Sequence, residues 1–351
     1  MKRLTSRVAA IALCTMPFTA TAETLDFTIG SPLAPVLPWV GALPNSFVAN
    51  ANTYLEEAGS ELRIDWTEAY SGTLYKFQDT LESVESGIAD VGWVGTIWEV
   101  SNMPLMQMTF STPFASQDLG VSLSVVNDIH REIPEMQAAW EDFNQVFLGA
   151  AGVETYHIYS VEPIETLDDL QGLKLLGGGA VGSWIQAAGA TWVEGSTGTF
   201  YQQMQTGVAD GAVIILSAGY PNRFHEVAPN LTLVGLGAQV IGGATINLDR
   251  WNAMTEVEQD VFRRLGEEYS LYNSTKVESV LEDYMSKTIA EGGIVTEMAD
   301  AEKLRWAEAM SHLPQLYLEQ GGDIASKVLS AYMSGVRAAG QTPLVNWDEN
   351  L

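Results

Sequence analysis

The glycines Gly177-Gly-Gly179-Ala-Val-Gly182 match the pattern G-x-G-x-x-G. Between a strand and a helix, such a run lets the backbone approach a dinucleotide pyrophosphate. Leu173 to Leu176 reads as a short strand and Gly182 to Ala188 as a helix. Glu194 ends the next expected strand, near where an acidic residue would hold a ribose. One reading is therefore a nicotinamide-dependent oxidoreductase. The other is that the glycines loosen a turn at a cleft so that a ligand can approach the backbone. The second is preferred, because the chain begins with an export signature and the motif lies mid-chain.

No other catalytic constellation stands out. His130, His157, His225 and His312 are widely separated and lack metal-ligand spacing. Gly195-Ser-Thr-Gly lacks the spacing of a nucleophile elbow. Acid pairs such as Asp168-Asp169 carry little information among 44 Asp and Glu. The expectation is a protein with no enzymatic activity, cofactor or metal. Aromatic residues are more informative. Several fall at the ends of expected strands or in the loops after them, where open α/β sheets bind ligands. These are Trp39, Trp66 with Tyr70, Trp93 with Trp98, and Trp192.

Lys2, Arg3 and Arg7 precede an apolar stretch, Val8 to Leu13, and the small residues Thr19-Ala-Thr-Ala22 follow. This is the layout of a secretory signal peptide over residues 1–22, which places the mature protein in the periplasm. Leu13 is too bulky beside Cys14 for lipoprotein processing, and cleavage after Ala22 removes that single cysteine. No later segment is apolar enough to insert into a bilayer. The full chain carries a net charge of −27, a surface that repels phosphate backbones and argues against nucleic-acid binding.

Two strand–helix series must position these residues. Leu25, Phe27 and Ile29 alternate with polar residues and end at Gly30; Phe47, Ala51 and Leu55 recur at helical spacing; Leu62, Ile64 and Trp66 alternate again. A helical stripe from Phe77 to Ile88 then leads to the strand Val91 to Val94. The middle of the chain repeats the pattern, with helix Phe200 to Gly207 and strand Val213 to Leu216. Ser86-Gly-Ile-Ala-Asp-Val echoes Thr206-Gly-Val-Ala-Asp-Gly, each with a glycine at a helix end. Thr255 and Glu258 form a capping-box pattern opening a helix that reaches Glu291 and contains one glycine, Gly266. The fold class is α/β, two lobes with a ligand cleft between them and a long helix spanning both. The expected division is 23–153 plus 242–281 for lobe I, 154–241 plus 282–335 for lobe II, and a tail from 336 to 351.

Phe27 to Pro32, Tyr70-Ser-Gly-Thr-Leu and Phe110-Ser-Thr-Pro-Phe stand in order with two more specific segments, Pro163 to Lys174 and Tyr201 to Gly211. Together they resemble the periplasmic binding components of TRAP transporters, the DctP-like family, over nearly all of the mature chain. The resemblance implies a two-lobed binding protein that closes on a small-molecule ligand and delivers it to an integral membrane TRAP permease.

One departure bears on the ligand. The family usually follows Gly-Leu-Lys with an apolar residue and an arginine that pairs with the substrate carboxylate. Here the run is Gly172-Leu-Lys-Leu-Leu176, and a second arginine expected near Thr155 is also missing. An arginine makes a buried carboxylate tolerable; without it, an amine gains from aromatic faces and carboxylates. The expectation is a cationic or zwitterionic amine, such as an amino alcohol. Glu68 or Glu194 would pair with the ammonium, and Trp39, Trp66, Tyr70, Trp93, Phe200 and Tyr220 would supply walls beside Leu176. The alternative is an organic acid held by Lys76, Lys174 or Arg223.

Overall fold

The computed structural model describes residues 23–349, so the expected signal peptide lies outside the described residues. The strands are β1 Glu23–Gly30, β2 Leu62–Ala69, β3 Val91–Val94, β4 Gln145–Val153, β5 Tyr156–Ser160, β6 Lys174–Gly177, β7 Thr191–Glu194, β8 Gly211–Ile215, β9 Asn230–Leu233, β10 Gln239–Asn247 and β11 Ile294–Glu297. They form a five-stranded sheet, β2-β1-β3-β10-β4, and a six-stranded sheet, β11-β9-β5-β8-β6-β7. With helices packed on both, this is the expected two-lobed α/β architecture.

The parallel pairs β1–β2 and β1–β3 follow from the strand–helix–strand order. β10 instead returns from the second lobe and inserts antiparallel between β3 and β4. Every residue of β4 and of β10 is buried. A strand covered on both faces carries no alternation, and these two are rich in glycine and alanine. Alternation therefore does not reveal them in the sequence.

The echo between the halves has a structural counterpart. Gly87 and Gly207 both adopt positive φ, at 74° and 72°, and end their helices. Three residues on, Asp90 accepts the Thr28 N–H at 2.7 Å, and Asp210 accepts the Lys174 N–H at 2.8 Å. Each aspartate ties the turn to the strand beside it, so one short motif performs the same local task in both lobes.

The helix Glu256–Ala290 opens with the expected capping box: Glu258 accepts the Thr255 N–H at 2.8 Å. Its 35 residues extend about 50 Å at 1.5 Å per residue. The first half lies on β4, where Gly266 meets Gly149 backbone to backbone. The second half lies on the other lobe, where Tyr284 packs on Tyr220 at 5.0 Å. A Cβ on Gly266 would run into the Leu148 carbonyl, and rigid backbone on both sides cannot yield. Gly266→Ala gains about 1 kcal/mol of helix propensity but overpacks a contact at a typical cost of about 1–3 kcal/mol. The expected result is a lower midpoint in urea unfolding, the reverse of an ordinary helical Gly→Ala change. A higher midpoint would show that this contact does not set the approach of helix and strand.

The chain crosses between lobes at residues 153–156 and 233–239. Leu236 N–H donates to the Tyr156 carbonyl at 3.1 Å, and Phe114 N–H to the Leu236 carbonyl at 2.7 Å, which binds the crossings to each other. After β11 come two helices, Asp300–Ala309 and Leu313–Gly321, separated by a break ahead of Pro314. Trp306 Nε1 donates to the Trp184 carbonyl in the second lobe, and Tyr317 Oη to the Leu105 carbonyl in the first. No helix among the described residues is long and apolar enough to cross a membrane.

Candidate functional site

A cavity of about 590 Å³ lies between the two sheets and is lined from both lobes. On the first lobe its wall is the start of the helix after β1, which contributes Leu37 and Trp39, and the turn after β3, which contributes Ile97 and Trp98. An aromatic chain supports that wall. Trp39 packs on Trp93 at 6.5 Å, Trp93 on Trp98 at 6.2 Å, and Trp98 on Phe77 at 4.1 Å. On the second lobe the wall is Gly178, the segment Gly195–Thr197, Phe200 and the turn after β8 that carries Ser217 and Asn222. The floor is Val153, Tyr156 and Ile241 at the crossings, and the long helix adds Lys276, Val280 and Tyr284.

Apolar side chains dominate this lining, and among the described residues no aspartate or glutamate belongs to it. Lys276 is the single lysine or arginine among the described residues of the lining. Positions three and four residues away along the helix hold Tyr272, Asn273, Ser279 and Val280, so no carboxylate faces Lys276 on its own helix. Trp39 is almost wholly buried, and its indole N–H has no acceptor among the described residues. The cleft thus presents a cation and a hydrogen-bond donor in apolar surroundings. A more open hollow of about 470 Å³ beside the crossings contains Lys303, but that lysine is already paired with Glu297 and Asp300.

Of the residues expected at the site, Trp39 and Phe200 line the cleft. Trp93 is fully buried behind Trp39 and Trp98 and supports the wall without lining it. Tyr220 stands one layer back, its ring tilted against Tyr284 and its hydroxyl donating to Glu291 at 2.9 Å. Glu68 and Glu194 are exposed and outside the lining. Each lies on a strand at the edge of its sheet, so its carboxylate stays in water. Trp66 packs edge-on against Phe27 and Phe47 beneath β2. Tyr70 is outside the cleft as well; burial, with Glu68 nearby, pushes its phenol up.

Leu176 is fully buried inside β6, and the chain reaches the cleft two residues later, at Gly178. None of the three cations considered as substitutes lines the cavity. Lys76 and Lys174 are exposed elsewhere, and Arg223 is paired with Glu226. Lys276 is the cation that sequence reasoning missed. Its signal is faint: it is the sole basic residue between Arg264 and Lys287 on a helix expected to touch both lobes.

The glycine run serves packing. A Cβ on Gly182 would strike the Trp192 indole, whose N–H donates to the Gly177 carbonyl at 2.9 Å. Gly179, at φ 48°, abuts the Ile97 carbonyl across the cleft, so the run lets the two lobes meet. The histidines are scattered: His130 donates to the Val126 carbonyl and accepts from Trp140, and burial lowers it to about 4. Among the described residues no His, Cys, Asp and Glu cluster could hold a metal.

Comparisons with known proteins agree with this architecture. Residues 38–320 match the family DctP, described as bacterial extracellular solute-binding protein, family 7. The C4-dicarboxylate-binding protein DctB of Bacillus subtilis is 20% identical over 289 residues, 78% of each chain. A solved TRAP solute-binding protein from a marine metagenome, described as specific for pyroglutamate, superposes with a TM-score of 0.72 at 17% identity. That match covers 90% of this chain and all of the other. A TRAP periplasmic solute-binding protein from Pseudomonas putida F1, with bound D-glucuronate, gives 0.69 at 21% identity, covering 87% and 96%. Two lobes, an apolar cleft between them and a family match across most of the sequence lead to one assignment: the chain belongs to the DctP family of bacterial extracellular solute-binding proteins.

Proposed function

We propose that this protein captures a small organic acid with an apolar body in the periplasm and presents it to a TRAP-type membrane permease. The observation that carries the reading is the composition of the cleft: one lysine, no carboxylate, and otherwise mostly apolar walls. A cavity of this size suits a small ligand. Burying roughly 150 Å² of apolar ligand surface contributes about 4 kcal/mol, and a charge-assisted hydrogen bond adds about 1.5–3 kcal/mol. An amine would bring its positive charge beside Lys276 with no carboxylate in the lining to meet it. The amine reading therefore lacks support from the site, and the acids bound by the solved neighbours also favour the alternative. Those neighbours include a sugar acid, whereas the apolar walls here favour an acid with few hydroxyl groups.

Capture follows from lobe closure, in which ligand contacts from both sides stabilise the closed state. A thermal-shift screen tests the reading, because a ligand of the folded state raises the melting temperature. Apolar monocarboxylates are expected to stabilise the protein and amino alcohols to leave it unchanged. Stabilisation by amines alone would overturn the proposal.

A further inference from the structure

Glu154 lies in the crossing between β4 and β5, directly behind the cleft floor, and is 4% exposed. Its Oε1 accepts the Ser217 N–H at 2.6 Å, and its Oε2 lies 2.9 Å from Ser217 Oγ. Ser217 itself lines the cleft. A hydroxyl has one proton, so the charge of Glu154 decides where that proton goes. Opposite an ionised Glu154, Ser217 donates backwards to the carboxylate and offers the cleft only lone pairs. Opposite a protonated Glu154, the carboxyl O–H donates to Ser217 Oγ, and the serine proton turns towards the cleft.

We infer that Glu154 and Ser217 form a proton-linked donor switch, in which capture of an anionic ligand draws one proton from solvent onto Glu154 Oε2. The inference rests on the acid reading above and assigns that site a regulation. Both consequences of protonation favour an anion: Ser217 becomes a donor, and a buried negative charge behind the cleft disappears. The surroundings permit the change. Burial pushes the Glu154 carboxyl up, partly offset by the bonds from Ser217. On β5, Tyr156 and Tyr159 are the titratable groups that feel Glu154, and burial pushes both phenols up, so they stay neutral. From the turn after β8 Ser217 is the residue bonded to Glu154, and the long helix brings Lys276 to the same cleft. Among the described residues no cation lies within ion-pair distance of Glu154.

The sign follows by linkage. The liganded state holds more protons than the free state, so affinity for an anion rises as pH falls. The slope approaches tenfold per pH unit where one full proton is taken up. Glu154→Gln keeps the shape, and its amide donates to Ser217 Oγ without a proton equilibrium. Titration with benzoate between about pH 5.5 and pH 8.5 is expected to give a sloping affinity for the native protein. The variant should bind with an affinity that is nearly flat and, at the upper end, higher. In parallel, infrared spectra of the ligand-free protein should contain a protonated-carboxyl band that titrates with pH and is missing from Glu154→Gln. Equal slopes in both proteins, or no Glu154-dependent band at any pH above about 5, would overturn the switch. Should benzoate bind neither protein, the acid reading loses its support, while the infrared titration still decides the switch.

Discussion

Lys276→Gln is expected to weaken binding of the cognate acid by about ten- to a hundredfold. The lysine is the single cationic side chain among the described residues of the cleft lining, and a hydrogen bond to a charged group contributes about 1.5–3 kcal/mol, where each 1.4 kcal/mol is a factor of ten. Because Lys276 is exposed on its helix, solvent screens part of its charge, which keeps the effect below the strongest charge pairs. Lys276→Arg, which retains the charge, should recover most of the affinity. The melting temperature of the ligand-free protein should hardly move, since Lys276 makes no ion pair among the described residues. Isothermal titration separates these outcomes. Equal affinity in Lys276→Gln and the native protein would take the lysine out of the site.

Gly179→Ala should be the most damaging small change at the cleft. Gly179 has φ 48°, and a side chain there would collide with the carbonyl oxygen of Ile97 on the opposite lobe. A left-handed conformation costs a non-glycine residue about 1–2 kcal/mol, and the collision adds to it only when the lobes meet. The variant should therefore fold, remain open and bind at least tenfold more weakly than the native protein. Small-angle scattering at saturating ligand should find the native protein contracting and the variant remaining expanded. Equal contraction in both would mean that this contact does not govern closure.

Much of what announces itself in sequence has one face in water, while β3 and β8, buried throughout, are legible as short apolar runs. Phe27 and Ile29 alternate with polar neighbours because β1 presents different sides to core and surface, and the Thr255–Glu258 box is readable because capping is local. β4 and β10 are silent because they are buried on both faces, so they lack alternation, and glycine and alanine interrupt their apolar runs. The first helix begins at Pro38, ahead of the stripe that starts at Phe47, since a proline suits the first helical turn. Its π-helical segment, Leu43–Val48, breaks the regular spacing.

The site divides along the same line. Trp39 and Phe200 are recognisable as aromatic residues near a strand end or a helix start. The carboxylates expected to hold an ammonium are not at the cleft, because Glu68 and Glu194 sit on edge strands where water claims them. Leu176, where the resemblance led to the expectation of an arginine, is buried inside β6, and a cation reaches the cleft from an element distant in sequence. The place of Lys276 depends on where the long helix crosses the lobes, and no local pattern around it encodes the crossing.

The central claim, that the cleft reads a carboxylate on an apolar body, is tested most directly by three ligands of one skeleton. Take the acid that most stabilises the protein in the thermal-shift screen, its primary amide and the corresponding amine, and titrate each at about neutral pH. The acid should bind at least tenfold more tightly than the amide, and the amine should not bind measurably. Tighter binding of the amine than of the acid would contradict this account.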